Sequence, residues 1–271
     1  MSDGLERLAG WPGSRRAAGW CNRRDEQATA GDATEVFALA SVTKVLTATA
    51  VLVAVQEEIV ALDEPAGPPG STVRLLLCHA SGLPFDAGGP VMPPAQRRIY
   101  GNPAFDVLGA LVAERAEVEL PVYVGEAVLD PLGMAATTVT GSPAHGARST
   151  VGDLLRFAGE LLHPGRVLAP ETLDEATTAQ LPELDGVLPG FGRQRPNPWG
   201  LGFELKGTKA PHWMPPEASP RSFGHFGQSG AFLWADPAAG VACVGLGDHP
   251  FGDWAREEWP RLGSAVLGAA S

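Results

Sequence analysis

The chain has 271 residues and a hydrophobic fraction of 44%, enough to bury a substantial core and too apolar for disorder throughout. Its formal net charge of −11, with no run of five or six basic residues, excludes a phosphate-neutralising nucleic-acid surface. Gly 34 and Pro 25 predict a loop-rich molecule rather than a helical bundle.

No stretch of 18 apolar residues occurs, so neither a transmembrane helix nor a membrane partner is expected. The first residues, Met1 to Glu6, lack the basic start and apolar core of a secretory signal. Cys21, Cys78 and Cys243 are odd in number and form no C-x-x-C pair, which predicts reduced, buried thiols and a cytoplasmic protein. No metal constellation is visible, and no cofactor is expected.

Residues 16–21 and 27–34 read as two short strands joined by a polar turn, a hairpin at a sheet edge. Residues 42–59 then read as a helix, apolar nearly all round, hence buried. Ser41 stands at its start and Lys44 three residues on, a spacing that puts both side chains on one face. A buried amine of lowered pKa could take the proton of such a serine. By itself the tetrad S-x-x-K equally describes an N-cap serine followed by a solvated lysine.

A short helix over 73–79 is expected, with Thr72 as N-cap and Gly82 and Pro84 as stops; His79 reads as a structural histidine bonded to loop backbone. Tyr100 and Asn102 precede a helix over 104–116. Asn102 before Pro103 suits an N-cap with proline at the first helical position, and Tyr100 could equally be a core aromatic. Further helices are expected over about 121–128, from 149 or 150 through 162, and from about 168.

From about 181 the texture changes to a segment rich in Pro, Gly and Trp, where 199–205 reads as a strand and 209–216 as a loop. Residues 222–237 read as one glycine-laden strand and 241–247 as a second, followed by an amphipathic helix over 253–267. Strands from both chain ends predict one antiparallel sheet, with the intervening helices as a second lobe and a site in the cleft. Trp199, His212, Trp213 and Phe232 are candidates for a pocket, with core packing as the competing assignment.

Ser41-Val42-Thr43-Lys44, then Tyr100-Gly101-Asn102, then His225-Phe226-Gly227 stand in an order that resembles the serine β-lactamase and penicillin-binding-protein superfamily. The likeness is to its class C-related branch of esterases and D-aminopeptidases. Supporting stretches lie at 76–84, 131–134 and 199–203. The resemblance implies an α+β, β-lactamase/transpeptidase-like fold in one domain over 1–271. Its sheet lobe would take about 1–40 and 181–271, and its helical lobe about 41–180.

It further implies that Ser41 is the acylated nucleophile and Lys44 its proton acceptor. Tyr100 would pass the proton to the leaving group and activate water. Asn102 would orient Lys44 or bind a substrate amide, and the backbone N–H groups of Ser41 and Gln228 would form an oxyanion hole. His225 and Phe226 depart from the K-T-G triplet of many relatives, which weakens a cationic anchor for a substrate carboxylate or makes it pH-dependent. The expected function is a serine hydrolase acting on small esters. The alternatives are a β-lactamase or D-amino-acid amidase or peptidase, and a non-catalytic ligand- or partner-binding protein of the same fold.

Overall fold

The computed structural model of the chain describes residues 4–270. In chain order its elements are β1 (Arg16–Asn22), β2 (Gln27–Ala30), β3 (Phe37–Ala38), α1 (Thr43–Gln56), α2 (Val73–Leu77), α3 (Pro103–Ala116), α4 (Leu120–Val124) and α5 (Asp130–Leu132). They continue with β4 (Thr138–Val139), β5 (Ala147–Ser149), α6 (Val151–Leu162), α7 (Pro170–Ala176), β6 (Gly186–Leu188), β7 (Gly192–Gln194), β8 (Glu204–Leu205), β9 (Phe223–Gly227), β10 (Ala231–Asp236), β11 (Val241–Gly247) and α8 (Asp253–Ala270).

The main sheet is antiparallel with order β2-β1-β11-β10-β9-β8, so its strands come from both ends of the chain. Strands β9, β10 and β11 are buried at every position, because both faces of the sheet are covered. The amphipathic helix α6 lies on one face, where Gly19 of β1 lets Leu155 and Val151 approach closely. Thr150 caps α6 by accepting a hydrogen bond from the Asp153 N–H. On the other face α8 covers a second core containing Trp11, Trp213, Phe232, Trp234 and Trp259.

Helix α1 is the axis of the larger core. Residues Thr43 through Ala54 are all buried, with Thr43, Lys44, Thr47 and Thr49 as the polar exceptions in an otherwise apolar run. It stops at Gln56, earlier than the sequence suggests, and Glu58 just beyond it takes a left-handed φ of 59°.

Two expected strands differ in the structure. The stretch 222–237 is a hairpin, β9 and β10, turned at residues 228–230, where Gly230 takes φ +93°. Of 199–205 only Glu204–Leu205 is a strand. Gly202, at φ +86°, is pressed against Ala48 of α1, and its N–H donates to the Leu77 carbonyl at 3.0 Å. That contact between loop and helix replaces strand pairing. Helix α4 passes through a π-helical turn, Gly125–Leu129, into α5, so the expected helix over 121–128 is longer and less regular. A small sheet β3-β5-β4 and the hairpin β6-β7 were not expected from the sequence.

Candidate active site

Ser41 sits in a 3₁₀ turn, Ala40–Val42, that leads directly into α1. Ala40 before it is held at φ +44°, a conformation that costs a non-glycine residue of order 1–3 kcal/mol and that surrounding structure must impose. Here the imposing structure is β9. A Cβ on Gly227 would collide with the Leu39 carbonyl and lie 3.2 Å from both the Ala40 Cβ and the Ser41 nitrogen. The missing side chain of Gly227 is what allows the end of the strand to abut the serine turn.

Lys44 follows one turn later with its side chain fully buried. Its Nζ lies 2.8 Å from Asn102 Oδ1, 3.0 Å from the Ala144 carbonyl and 3.3 Å from Ser41 Oγ. Burial pushes the ammonium down to about 7, partly opposed by the negative charge of Asp106. Two of its three partners can only accept. A neutral Lys44 amine satisfies both with its two hydrogens and aims its lone pair at the one partner that can donate, the Ser41 hydroxyl.

The loop before α3 supplies two more groups. Asn102 does not cap the helix with its side chain, contrary to one expectation for it. Its Oδ1 accepts from Lys44, and its Nδ2 donates to Asp86 at 3.3 Å, which fixes the orientation of the amide. Gly101 is packed so closely on Pro84 and Phe85 that a Cβ would strike the Pro84 carbonyl. Tyr100 is buried with its ring 4.9 Å from Lys44 Nζ, a cation–π distance. Burial drives the Tyr100 phenol well above its ordinary value, with a side-chain hydrogen bond to Ser41 acting the other way.

His79 is the structural histidine expected. It is fully buried, its Nδ1 accepts the Gly101 N–H at 3.4 Å, and its ring lies 4.7 Å from both Tyr100 and Trp199.

Of the two expectations for His225, a weaker or a pH-dependent cationic anchor, its surroundings fit the weaker one. Its Nδ1 lies 2.7 Å from the Phe226 carbonyl, which can only accept, so the proton is on Nδ1. Burial, reinforced by Lys44, lowers the imidazole to about 3. His225 is a neutral wall, in ring contact with Tyr100 and Trp199. Gln228, one residue past Gly227, is held by Phe251, whose N–H donates to the Gln228 carbonyl at 2.9 Å.

Ser41, Tyr100, His225 and Gln228 thus line one small cavity of about 70 Å³, closed by Phe85, Trp199, Phe226, Leu188, Pro189 and Glu204. Lys44 and Asn102 stand behind the serine, and Gly227 forms the seam. Of the four aromatic candidates, Trp199 lines the cavity, while His212, Trp213 and Phe232 do not. Leu188, Pro189 and Glu204 escaped the sequence reading, as did Ala144, whose carbonyl receives the lysine. Nothing in the residue types alone marks a backbone carbonyl or a proline as part of a site.

Among the described residues no cluster of His, Cys, Asp or Glu side chains could hold a metal ion, and no helix is long and apolar enough to cross a membrane. All three cysteines are free and buried.

The Beta-lactamase family description matches residues 10–266. The chain belongs to the Beta-lactamase family. A solved structure described as a beta-lactamase from Mycobacterium bovis is 50% identical, superposes with a TM-score of 0.96, and is matched over 98% of this chain and 99% of that one. Simvastatin synthase from Aspergillus terreus, at 18% identity and TM-score 0.81 over 98% and 96% of the two chains, shares the fold. So does EstCE1, described as a hydrolase with promiscuous acyltransferase activity, at 17% identity and TM-score 0.78 over 98% and 99%. A protein of Mycobacterium tuberculosis is 26% identical over 310 residues, 79% of this chain and 77% of the relative. The fold is the β-lactamase/transpeptidase-like α+β fold expected from the motifs.

Proposed function

We propose that the protein is a serine esterase acting on esters of short, uncharged acyl groups through an acyl-enzyme on Ser41. The observation that carries the reading is the state of Lys44: a buried amine near neutrality, with both hydrogens committed and its lone pair left for the Ser41 hydroxyl.

In the first half-reaction the Ser41 Oγ attacks the ester carbonyl as its proton passes to Lys44. The oxyanion lies between the N–H groups of Ser41 and Gln228, which Gly227 brings together. Tyr100, its phenol protonated at neutral pH, hands a proton to the departing alkoxide and regains one from Lys44. That leaves a neutral alcohol, the acylated serine and a neutral lysine. In the second half-reaction a water takes the place of the alcohol. Its proton is relayed to the same pair and returns to Ser41 Oγ as the acid leaves. Preorganised donors at the oxyanion usually supply about 3–4 kcal/mol of barrier reduction each.

The neutral His225 and the phenyl ring of Phe226 supply no positive charge beside the serine for a substrate carboxylate. This supports uncharged acyl groups over β-lactams. A second reading, β-lactam hydrolysis, is favoured by the 50% identity to the M. bovis chain described as a beta-lactamase.

Intact-mass spectrometry with a panel of short-chain nitrophenyl esters, a reporter cephalosporin and a D-alanine amide separates the readings. The expected result is a transient acyl adduct and turnover with the esters, both absent in Ser41→Ala. Turnover of the cephalosporin well above that of the esters establishes the second reading instead.

A further inference from the structure

Outside the cavity at Ser41 runs a larger groove of about 540 Å³, and the two share Phe85, Tyr100 and Pro189. Five large hydrophobic side chains are exposed among the described residues, and three of them, Phe85, Val91 and Val187, line this groove with 51%, 62% and 49% of their surface open. Exposed apolar side chains concentrated in one concave strip beside a nucleophile mark a ligand-binding surface rather than chance exposure.

Two arginines border the groove, and they differ. Arg98 is buried and spends its guanidinium on the carbonyls of Asn197, Cys78, Gln180 and Leu181. Arg97 is partly exposed, and its side chain makes no hydrogen bond or ion pair among the described residues. The acids nearest in sequence to the groove walls are occupied: Asp185 by Arg193 and Arg195, and Asp86 by Asn102. A cation without a partner at an apolar strip complements an amphipathic ligand.

We infer that this groove is the leaving-group site, taking an apolar, extended alcohol that carries an anionic group opposite Arg97. The inference rests on the esterase reading and assigns the other half of the ester. The small cavity limits the acyl group to a few heavy atoms, while the alcohol leaves past Tyr100, the wall common to both spaces. The anion would lie at Arg97, away from the uncharged His225.

Three acetyl esters test this, with leaving groups phenol, a hydroxybiphenyl carboxylate and the methyl ester of that carboxylate. The biphenyl carboxylate ester is expected to exceed phenyl acetate in kcat/KM by about tenfold, as burial of a further ring implies. Val187→Asp and Val91→Asp, both at exposed positions, should each cut that ratio about fivefold, and Arg97→Gln should cut the preference for the carboxylate over its methyl ester by a similar factor. A binding arm uses Ser41→Ala protein and the hydroxybiphenyl carboxylate itself in calorimetry, with binding expected to weaken in the same three substitutions.

Acylation of Ser41 by phenyl acetate with no preference and no binding overturns the groove and leaves the esterase reading standing. Binding that depends on Val187 and Arg97 without acylation by any ester supports the groove and overturns the esterase reading. Neither acylation nor binding overturns both.

Discussion

Asn102 Oδ1 accepts a 2.8 Å hydrogen bond from Lys44 Nζ, tying the start of α3 to the first turn of α1. Because Asn102 also donates to Asp86, its carbonyl cannot turn away from the lysine without losing a second bond. The pair sets the position of the amine.

Ester hydrolysis should therefore follow the free base of Lys44. The amine is pushed down to about 7, so below that pH it is protonated and cannot accept the Ser41 proton. The expected kcat/KM for a neutral ester rises with pH through about 7 and levels above it. Asn102→Leu removes an acceptor that favours the ammonium, so the midpoint moves down while kcat falls. A profile flat from pH 5 to 9, on the order of the span a lysine base must cross, would exclude Lys44 as the base.

Tyr100→Phe removes the phenolic proton and keeps the ring over Lys44. General-acid losses are about 10²–10⁴-fold, and here they should fall on kcat with KM nearly unchanged. Steady-state kinetics decide the point. An equal loss carried by KM would mean that Tyr100 only walls the cavity.

Gly227→Ala puts a methyl group against the Leu39 carbonyl and within 3.2 Å of the Ser41 nitrogen. The serine turn or the strand end must move, which misplaces the two N–H groups assigned to the oxyanion. A fall in kcat of about 10²-fold is expected, the scale of losing one such donor, with the folded state retained by circular dichroism.

Glu204 lines the cavity from behind and is fully buried. Burial by itself would raise its carboxyl, yet His212 and Lys209 hold it down to about 2. The Met214 N–H donates to His212 Nδ1, which leaves the Nε2–H for Glu204, so the countercharge is Lys209. A depressed carboxyl adds stability that is present above the unfolded value near 4.5 and lost as pH falls through that value toward about 2. Lys209→Met leaves the carboxylate its hydrogen bonds from His212 and Trp213 but no countercharge, and should cost about 3–5 kcal/mol at neutral pH. The deficit should shrink as acid protonates Glu204. Denaturant melts at neutral and mildly acidic pH measure both.

With His225 unprotonated down to about 3, any change across neutrality in the preference between neutral and anionic acyl groups should come from the charge on Lys44 and not from His225. Competition between acetyl and succinyl esters of one alcohol at about pH 6 and 8 should therefore give the same pH change in His225→Asn as in the unsubstituted protein. A swing toward the anion in acid that His225→Asn abolishes identifies His225 as a cation after all.

The local chemistry of the chain was enough to fix the helix α1, the place of Ser41 just before it and of Lys44 in its first turn, the caps at Thr72 and Thr150, and the sheet drawn from both chain ends. Each depends on spacing and on residue type within a few positions. The motif order supplied Tyr100, Asn102 and His225 as companions. Tertiary packing alone decided their states. Burial, which no spacing reports, keeps His225 neutral and lowers the Lys44 amine to about 7. A contact between Asn102 and Lys44, 58 residues apart, overrides the local preference of asparagine for capping. Glycines at 202 and 230 break stretches that alternate like strands, because one meets α1 and the other closes a hairpin. The Ala144 carbonyl, Glu204 and the groove beside Arg97 arise from loops whose paths are set by distant partners, and local sequence carries no record of those partners.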